Sequence, residues 1–195
     1  MINKNTIVVI IPARNGSKRL KNKNILKINT KPMVIRCAME AAKSKYVDHI
    51  YVSSESKKIL NICKKYKVNF IKRPKNLSKD NVEKQDVIAH GTKLLKNKLN
   101  PKIVVSLQPN SPQFKYQDLD KALNFFSKFQ HSKDQVNEVI SINRNNIQNG
   151  CFRIMKLKTV FQKTLSTKVG VFITNYIDVH DLADFRKVKK KIENK

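Results

Sequence analysis

The chain has 195 residues, 40% of them apolar, which suits one globular domain with a sizeable core. Lys and Arg number 41 against 14 Asp and Glu, for a formal net charge of +27, so polyanions are attracted to it in general. Only seven of these cations are Arg (residues 14, 19, 36, 73, 144, 153 and 186). A base-reading surface favours the planar Arg fork, so scattered Lys predicts a solvated basic surface and argues against specific nucleic-acid binding. No apolar run approaches the roughly 18–20 residues of a membrane span, and the stretch Met1–Thr6 followed by Ile7–Ile11 is too short and too polar at its exit for a signal peptide. A soluble, cytoplasmic protein with no membrane partner is expected. Cys37, Cys63 and Cys151 are an odd, widely spaced set without a CxxC pair, arguing against disulfides and a zinc site alike.

In chain order, Ile7–Ile11 is a continuous apolar run fit for a buried parallel strand. A polar loop follows, then a helix over Pro32–Ala42 with Pro in its first turn. His49–Ser54 reads as a strand. Ser56–Tyr66 reads as a helix turning Ile59, Leu60, Ile62 and Cys63 inward, and Val68–Ile71 as a third short strand. A helix is predicted over Gln85–Leu95, a buried strand over Ile103–Leu107, an amphipathic helix over Asp118–Phe129 and a strand over Glu138–Ile142. Strand character continues in Cys151–Leu157 and Val169–Ile173, and Ala183–Ile192 reads as a basic closing helix. Alternating strands and helices predict a three-layer α/β/α, Rossmann-like domain with a mostly parallel sheet. In such sheets ligands bind beyond the carboxyl ends of the strands.

The loop leaving the first strand is the strongest chemical feature: IPARNGSKRL at Ile11–Leu20, then Lys23-Asn24. Gly16 allows a nest of backbone N–H groups around an anion, and Arg14, Lys18, Arg19 and Lys23 bring the charge to neutralise a triphosphate. The loop is neither a P-loop nor a Rossmann fingerprint. On its own it is equally compatible with a plain solvated turn.

This segment resembles the N-terminal signature of the CMP-sialic acid synthetase (acylneuraminate cytidylyltransferase) family, IPARxGSKRLxxKN. Further blocks follow in order. Arg73–Asp80 with Asp86–His90 is similar to RPxxLAxD…DVIxH, Leu107–Pro112 to LQPTSP, Asn149–Ile154 to NGxxY/F, and Asp178–Phe185 to DIDxxxDF. The resemblance implies a single nucleotidyltransferase domain over residues 1–195. It implies CTP and a nonulosonic (sialic-type) 2-keto sugar acid as substrates, CMP-sugar and pyrophosphate as products, and Mg²⁺ (or Mn²⁺) as the cofactor. It places Arg14 and Lys23 on the triphosphate, with Gly16, Ser17 and Lys18 in the same turn. Asn24 and Arg73 fall on cytosine, Gln108 and Ser111 at the nucleotide–sugar junction, Asn149 on substrate, and Asp178 with His180 on the metal. Asp80 is expected to be a local helix cap and His90 a packed helix residue.

Three departures stand out. The second carboxylate of DID is His180, a poor Mg²⁺ ligand, which alternation on a strand would set beside Asp178. Gln113-Phe114 and Ile147-Gln148 stand where the family carries cations. The 143–149 stretch is too short for the family's dimerisation arm, which leaves a homodimer open. A 3-deoxy-octulosonate-type transferase is the nearest alternative, although Lys23-Asn24 favours the sialate branch. A nucleotide- or RNA-binding relative with impaired catalysis is the alternative from another class.

Overall fold

A computed structural model describes residues 5–129, 135–164 and 166–194; Met1–Lys4 of the amino-terminal stretch lie outside them. Strand β1 (Ile7–Pro12) is buried along almost its whole length because both its faces are covered. Ile7, Val9 and Ile11 point to one side, against α1 (Met33–Ala41), α2 (Lys57–Lys65) and α4 (Tyr116–Lys128). Val8 and Ile10 point to the other, against α3 (Lys84–Leu99) and the short α5 (Leu157–Val160). Two-residue alternation therefore divides one apolar run between two cores.

The main sheet adds β4 (His49–Ser54), β5 (Phe70–Lys72), β6 (Ile103–Leu107), β7 (Glu138–Ile142), β8 (Gln148–Lys156) and β9 (Val169–Ile173), in the order β5-β4-β1-β6-β8-β7-β9. All neighbours pair in parallel except β8, which is antiparallel to both β6 and β7. From β1 the chain crosses to β4 on one side, whereas from β6 it proceeds toward β8 and β7 on the other. The strand order thus reverses between β1 and β6, and the carboxyl ends of these two strands flank the crevice where open α/β sheets receive ligands.

Two features modify the sequence expectation. The third strand begins at Phe70, two residues late, because Lys67 takes a left-handed φ of 55° and the Val68 N–H still closes onto Cys63 O at the end of α2. A small hairpin, β2 (Lys27–Ile28) and β3 (Lys31–Pro32), precedes α1, turned by Asn29 and Thr30 at φ 47° and 67°. Onto it packs α6 (Leu182–Glu193), through a third apolar cluster of Leu20, Ile28, Met33, Val179 and Val188. A reciprocal capping box starts α6: the Asp181 side chain accepts from the Asp184 N–H, and the Asp184 side chain from the Asp181 N–H. Among the described residues no helix is long and apolar enough to cross a membrane.

Candidate active site

The cationic loop leaves β1 at the reversal point, and three interactions fix its shape. Asn24, buried, donates from Nδ2 to Arg14 O at 2.8 Å. The Asn15 N–H donates to Glu55 Oε1 at 2.8 Å. Lys23 Nζ donates to Val179 O at 3.0 Å, anchoring the loop to the segment before α6. Burial pulls the Lys23 ammonium below its ordinary pKa; Asp178 opposes this, and Arg14 and Arg19 add to it. Gly16 does not supply the left-handed kink of a nest. It has no positive φ, and a Cβ there meets nothing within 4 Å; the left-handed residue in the loop is Asn22, at φ 58°.

Arg14 and Lys18 both rest on Asp80, at 2.8 and 2.7 Å. Asp80 is therefore an ion-pair partner across the cleft and not a helix cap. The Lys18 and Arg14 contacts hold its carboxyl below the ordinary range, against some desolvation. Such solvent-exposed pairs contribute little, so an incoming phosphate competes for these cations at little cost. Gly16, Ser17 and Lys18 border a shallow depression shared with Ser78 and Asp80.

Beneath the loop, Arg73 is buried, its side chain 2% exposed. Its Nη2 meets Glu55 Oε2 at 2.9 Å and its Nε meets Ser78 Oγ at 3.0 Å. Burial alone would raise the Glu55 carboxyl; the Asn15 amide, Arg73 and Ser78 outweigh it and hold Glu55 below its usual range. Arg14, Arg73, Asp80, Lys84 and Gln108 line one cavity of about 250 Å³.

On the β6 side, Gln108 follows the last strand residue, and its N–H donates to Cys151 O. Its side chain lies against Gly150, where a Cβ would come within 1.8 Å of Gln108 Nε2. Gly150 is required here by close approach. Its N–H donates to Asp178 Oδ2 at 3.2 Å, while the Ser111 hydroxyl donates to Asp178 Oδ1. Gln108, Ser111 and Asp178 therefore meet beside the cationic loop. Asn149 is buried and donates to Thr174 Oγ1 at 2.7 Å, tying β8 to the chain beyond β9.

His180 does not lie on a strand with Asp178. Residues 174–180 form no strand, His180 is exposed, and its N–H joins the α6 cap at Asp184 Oδ2. Among the described residues no group of three or more His, Cys, Asp or Glu side chains is arranged around a metal position. One carboxylate remains, with lone pairs spare on both oxygens. This fits a hard divalent cation that takes one or two protein carboxylates and completes its shell with phosphate oxygens and water.

The substituted positions have structural reasons. Phe114 is 3% exposed and belongs to the core against α1 and α4, a place no cation tolerates unpaired. Gln113 Oε1 accepts from the Ile177 N–H at 3.1 Å. Strands β7 and β8 are joined directly by a turn over residues 143–147, with Asn146 at φ 58°. His90 is half-buried, with Nδ1 unpartnered among the described residues; burial, then Arg73, lower its pKa. All three cysteines are free and buried, and burial pushes the Cys63 thiol up to about 11, so none is a ready nucleophile.

Sequence reasoning missed Glu55, which braces Arg73, and two residues of the cavity walls, Lys84 and Arg153. Arg153 is detectable as the lone Arg inside the otherwise apolar run Cys151–Met155, whereas Lys84 is masked by the abundance of Lys.

Residues 8–186 match the profile of a family described as Cytidylyltransferase. N-acylneuraminate cytidylyltransferase of Escherichia coli O18:K1:H7 (strain RS218 / NMEC) is 29% identical over 140 residues, covering 72% of this chain but 32% of that protein. Post-translational flagellin modification protein B of Campylobacter coli is 30% identical over 173 residues, 86% of this chain and 69% of the relative. The chain thus spans about a third of the E. coli protein's length and about two thirds of the Campylobacter protein's. Among solved structures, CMP:2-keto-3-deoxy-manno-octonic acid synthetase complexed with CTP superposes with a TM-score of 0.77 at 16% identity, over 97% of this chain and 99% of that one. That likeness confirms the Rossmann-like nucleotidyltransferase architecture. With the signature blocks gathered at one crevice and the profile spanning nearly all the chain, the protein belongs to the cytidylyltransferase family, on its CMP-sialic acid synthetase-like side.

Proposed function

We propose that the chain transfers CMP from CTP to a nonulosonic-type 2-keto sugar acid, releasing pyrophosphate. The observation that carries this reading is the meeting of Arg14 and Lys23 with Gln108, Ser111 and Asp178 at the β1/β6 reversal point. In the reaction, the sugar's anomeric oxygen bonds to the α-phosphorus while the bond to the β-phosphate oxygen breaks. Such a transfer is promoted by positioning and by stabilising charge on phosphate oxygens.

Arg14 and Lys18 leave Asp80 for the triphosphate, and Lys23 supplies a third cation from a fixed position. Asn24 and the Glu55-bound Arg73 form the floor on which cytosine rests. Gln108 orients the attacking sugar at the junction. Asp178 holds a divalent cation, Mg²⁺ being the hard-ligand choice, which supplies Lewis-acid neutralisation of phosphate charge when bound. His180, exposed, adds no negative charge to that site.

Pyrophosphate release from CTP, ATP, GTP and UTP tests this, measured with N-acetylneuraminate, pseudaminate, N,N'-diacetyllegionaminate and 3-deoxy-manno-octulosonate in turn. Release specific to CTP and one acid is expected; silence across the panel overturns the reading. Lys23→Met is expected to weaken CTP binding by about 10- to 100-fold by calorimetry, as for loss of a charged hydrogen bond. Because the Lys23 pKa is lowered, CTP affinity should fall on the alkaline side at a lower pH than an ordinary lysine gives. Lys23→Arg should remove that inflection.

A further inference from the structure

A second cavity, of about 220 Å³, adjoins the nucleotide crevice, and the two share Lys84 as a lining residue. They meet also where Gly150, on the wall of the second, presses against Gln108, on the wall of the first. The Gly150 N–H binds Asp178, so this cavity opens beside the carboxylate assigned to the metal. Lys84, Arg153 and Lys163 line it, with Glu83 as the one carboxylate on its wall.

Arg153 is held in place with unusual completeness. It rises from the middle of β8. Its Nε pairs with Glu138, whose side chain is fully buried, and its Nη1 donates to Gln85 Oε1 at 2.9 Å. Glu138 is fixed in turn by the Ser166 N–H at 2.5 Å. The remaining nitrogen, Nη2, is buried and has no hydrogen-bond partner among the described residues. A guanidinium braced on two sides and unsatisfied on the third is poised for an acceptor.

Lys84 stands in the first turn of α3, at the positive end of the helix dipole, where a cation is locally disfavoured. Surrounding protein lowers its pKa first, and Arg153 lowers it further against the pull of Asp178. The residue as a whole is exposed and lines both cavities. Lys84, the unsatisfied Nη2 of the Glu138-paired Arg153 and a helix N-terminus thus border one small space, an arrangement suited to an anion.

We propose that Lys84 and Arg153 form an in-chain clamp for the carboxylate of the acid substrate, in the cavity beside Asp178. The inference rests on the cytidylyltransferase reading above and adds the group that reads the acid. The clamp answers the cations missing at Phe114 and Ile147: Phe114 is core, and the turn over 143–147 is too short to reach far from the sheet. Here the acid is recognised from β8 and α3 of the same chain. Arg153 donates to one carboxylate oxygen through Nη2, and Lys84 meets the other as a point charge.

The test compares the acid from the panel that supports pyrophosphate release with its carboxamide, in the wild type, Lys84→Met and Arg153→Lys. Lys84→Met sits on an exposed helix turn, and Arg153→Lys keeps a cation against buried Glu138, so both variants should remain folded. The wild type should prefer acid over carboxamide in kcat/KM, and each variant should lose about 10- to 100-fold of that preference, chiefly through KM for the acid. A merely structural role for these residues would slow both substrates equally and leave the ratio unmoved. An unchanged ratio with CTP-dependent turnover intact overturns the clamp and leaves the proposed function standing. No pyrophosphate from the wild type with any acid overturns both.

Discussion

Replacing Glu55 with Ala should unfold the chain far more readily, by about 3–5 kcal/mol, the usual cost of leaving one member of a buried ion pair without its partner. Glu55 binds three segments at once: Asn15 in the cationic loop, Arg73 after β5, and Ser78 in the following turn. With the carboxylate gone, the Arg73 guanidinium stays enclosed with its charge uncompensated. For a chain of this length the thermal midpoint should drop by roughly 10 °C. Glu55→Gln keeps an acceptor and should lose less. The effect has a pH signature. Because the folded-state pKa of Glu55 is lowered, its contribution is fully present above the unfolded glutamate value and fades as pH falls through the folded one. Wild-type stability should therefore decline in acid below the ordinary glutamate range, and the Gln variant should show a flatter curve there. Equal midpoints for wild type and Glu55→Ala would refute this account of the loop.

The second large effect is on turnover rather than stability. Gly150→Ala places a Cβ 1.8 Å from Gln108 Nε2 and 2.6 Å from its Cδ. Gly150 has no positive φ, so Ala fits its backbone without strain. What yields is the Gln108 side chain, which must swing out of the junction between the two cavities. A displacement of about 1 Å in a positioning group commonly costs about 10²-fold in rate. The expected result is a fall of that order in kcat, with CTP affinity and thermal midpoint changed little. Retention of half the wild-type kcat would show that Gln108 does not position the substrate.

Strands β4, β6, β7 and β9 are legible at their observed bounds because each is built around apolar, aromatic or β-branched residues between polar breaks. The β2–β3 hairpin is not, since two-residue strands carry no period and its turn is Asn-Thr in place of the Asn-Gly that announces such turns. The signature loops could be placed at one crevice because topology forces the ends of β1 and β6 together. The partnerships that shape the crevice were hidden. Glu55–Arg73, Asp80–Arg14 and Asp178–Ser111 join residues 18, 66 and 67 positions apart, a range at which sequence spacing says nothing. The strand assumed for Asp178 and His180 fails for a local reason: the backbone is drawn instead into the α6 cap and onto Asn110 O through the Val179 N–H.

The bond from Lys23 to Val179 spans 156 positions, and the apolar cluster beneath it joins Leu20, Ile28 and Met33 to Val179 and Val188. Closing so long a loop carries a large entropic penalty before any contact rewards it. The turn proposed to grip phosphate should therefore reach its shape only when residues 177–192 have docked, so nucleotide capture is expected to be acquired late in folding. Conditions that fray that helix should silence the molecule while its central sheet is still intact.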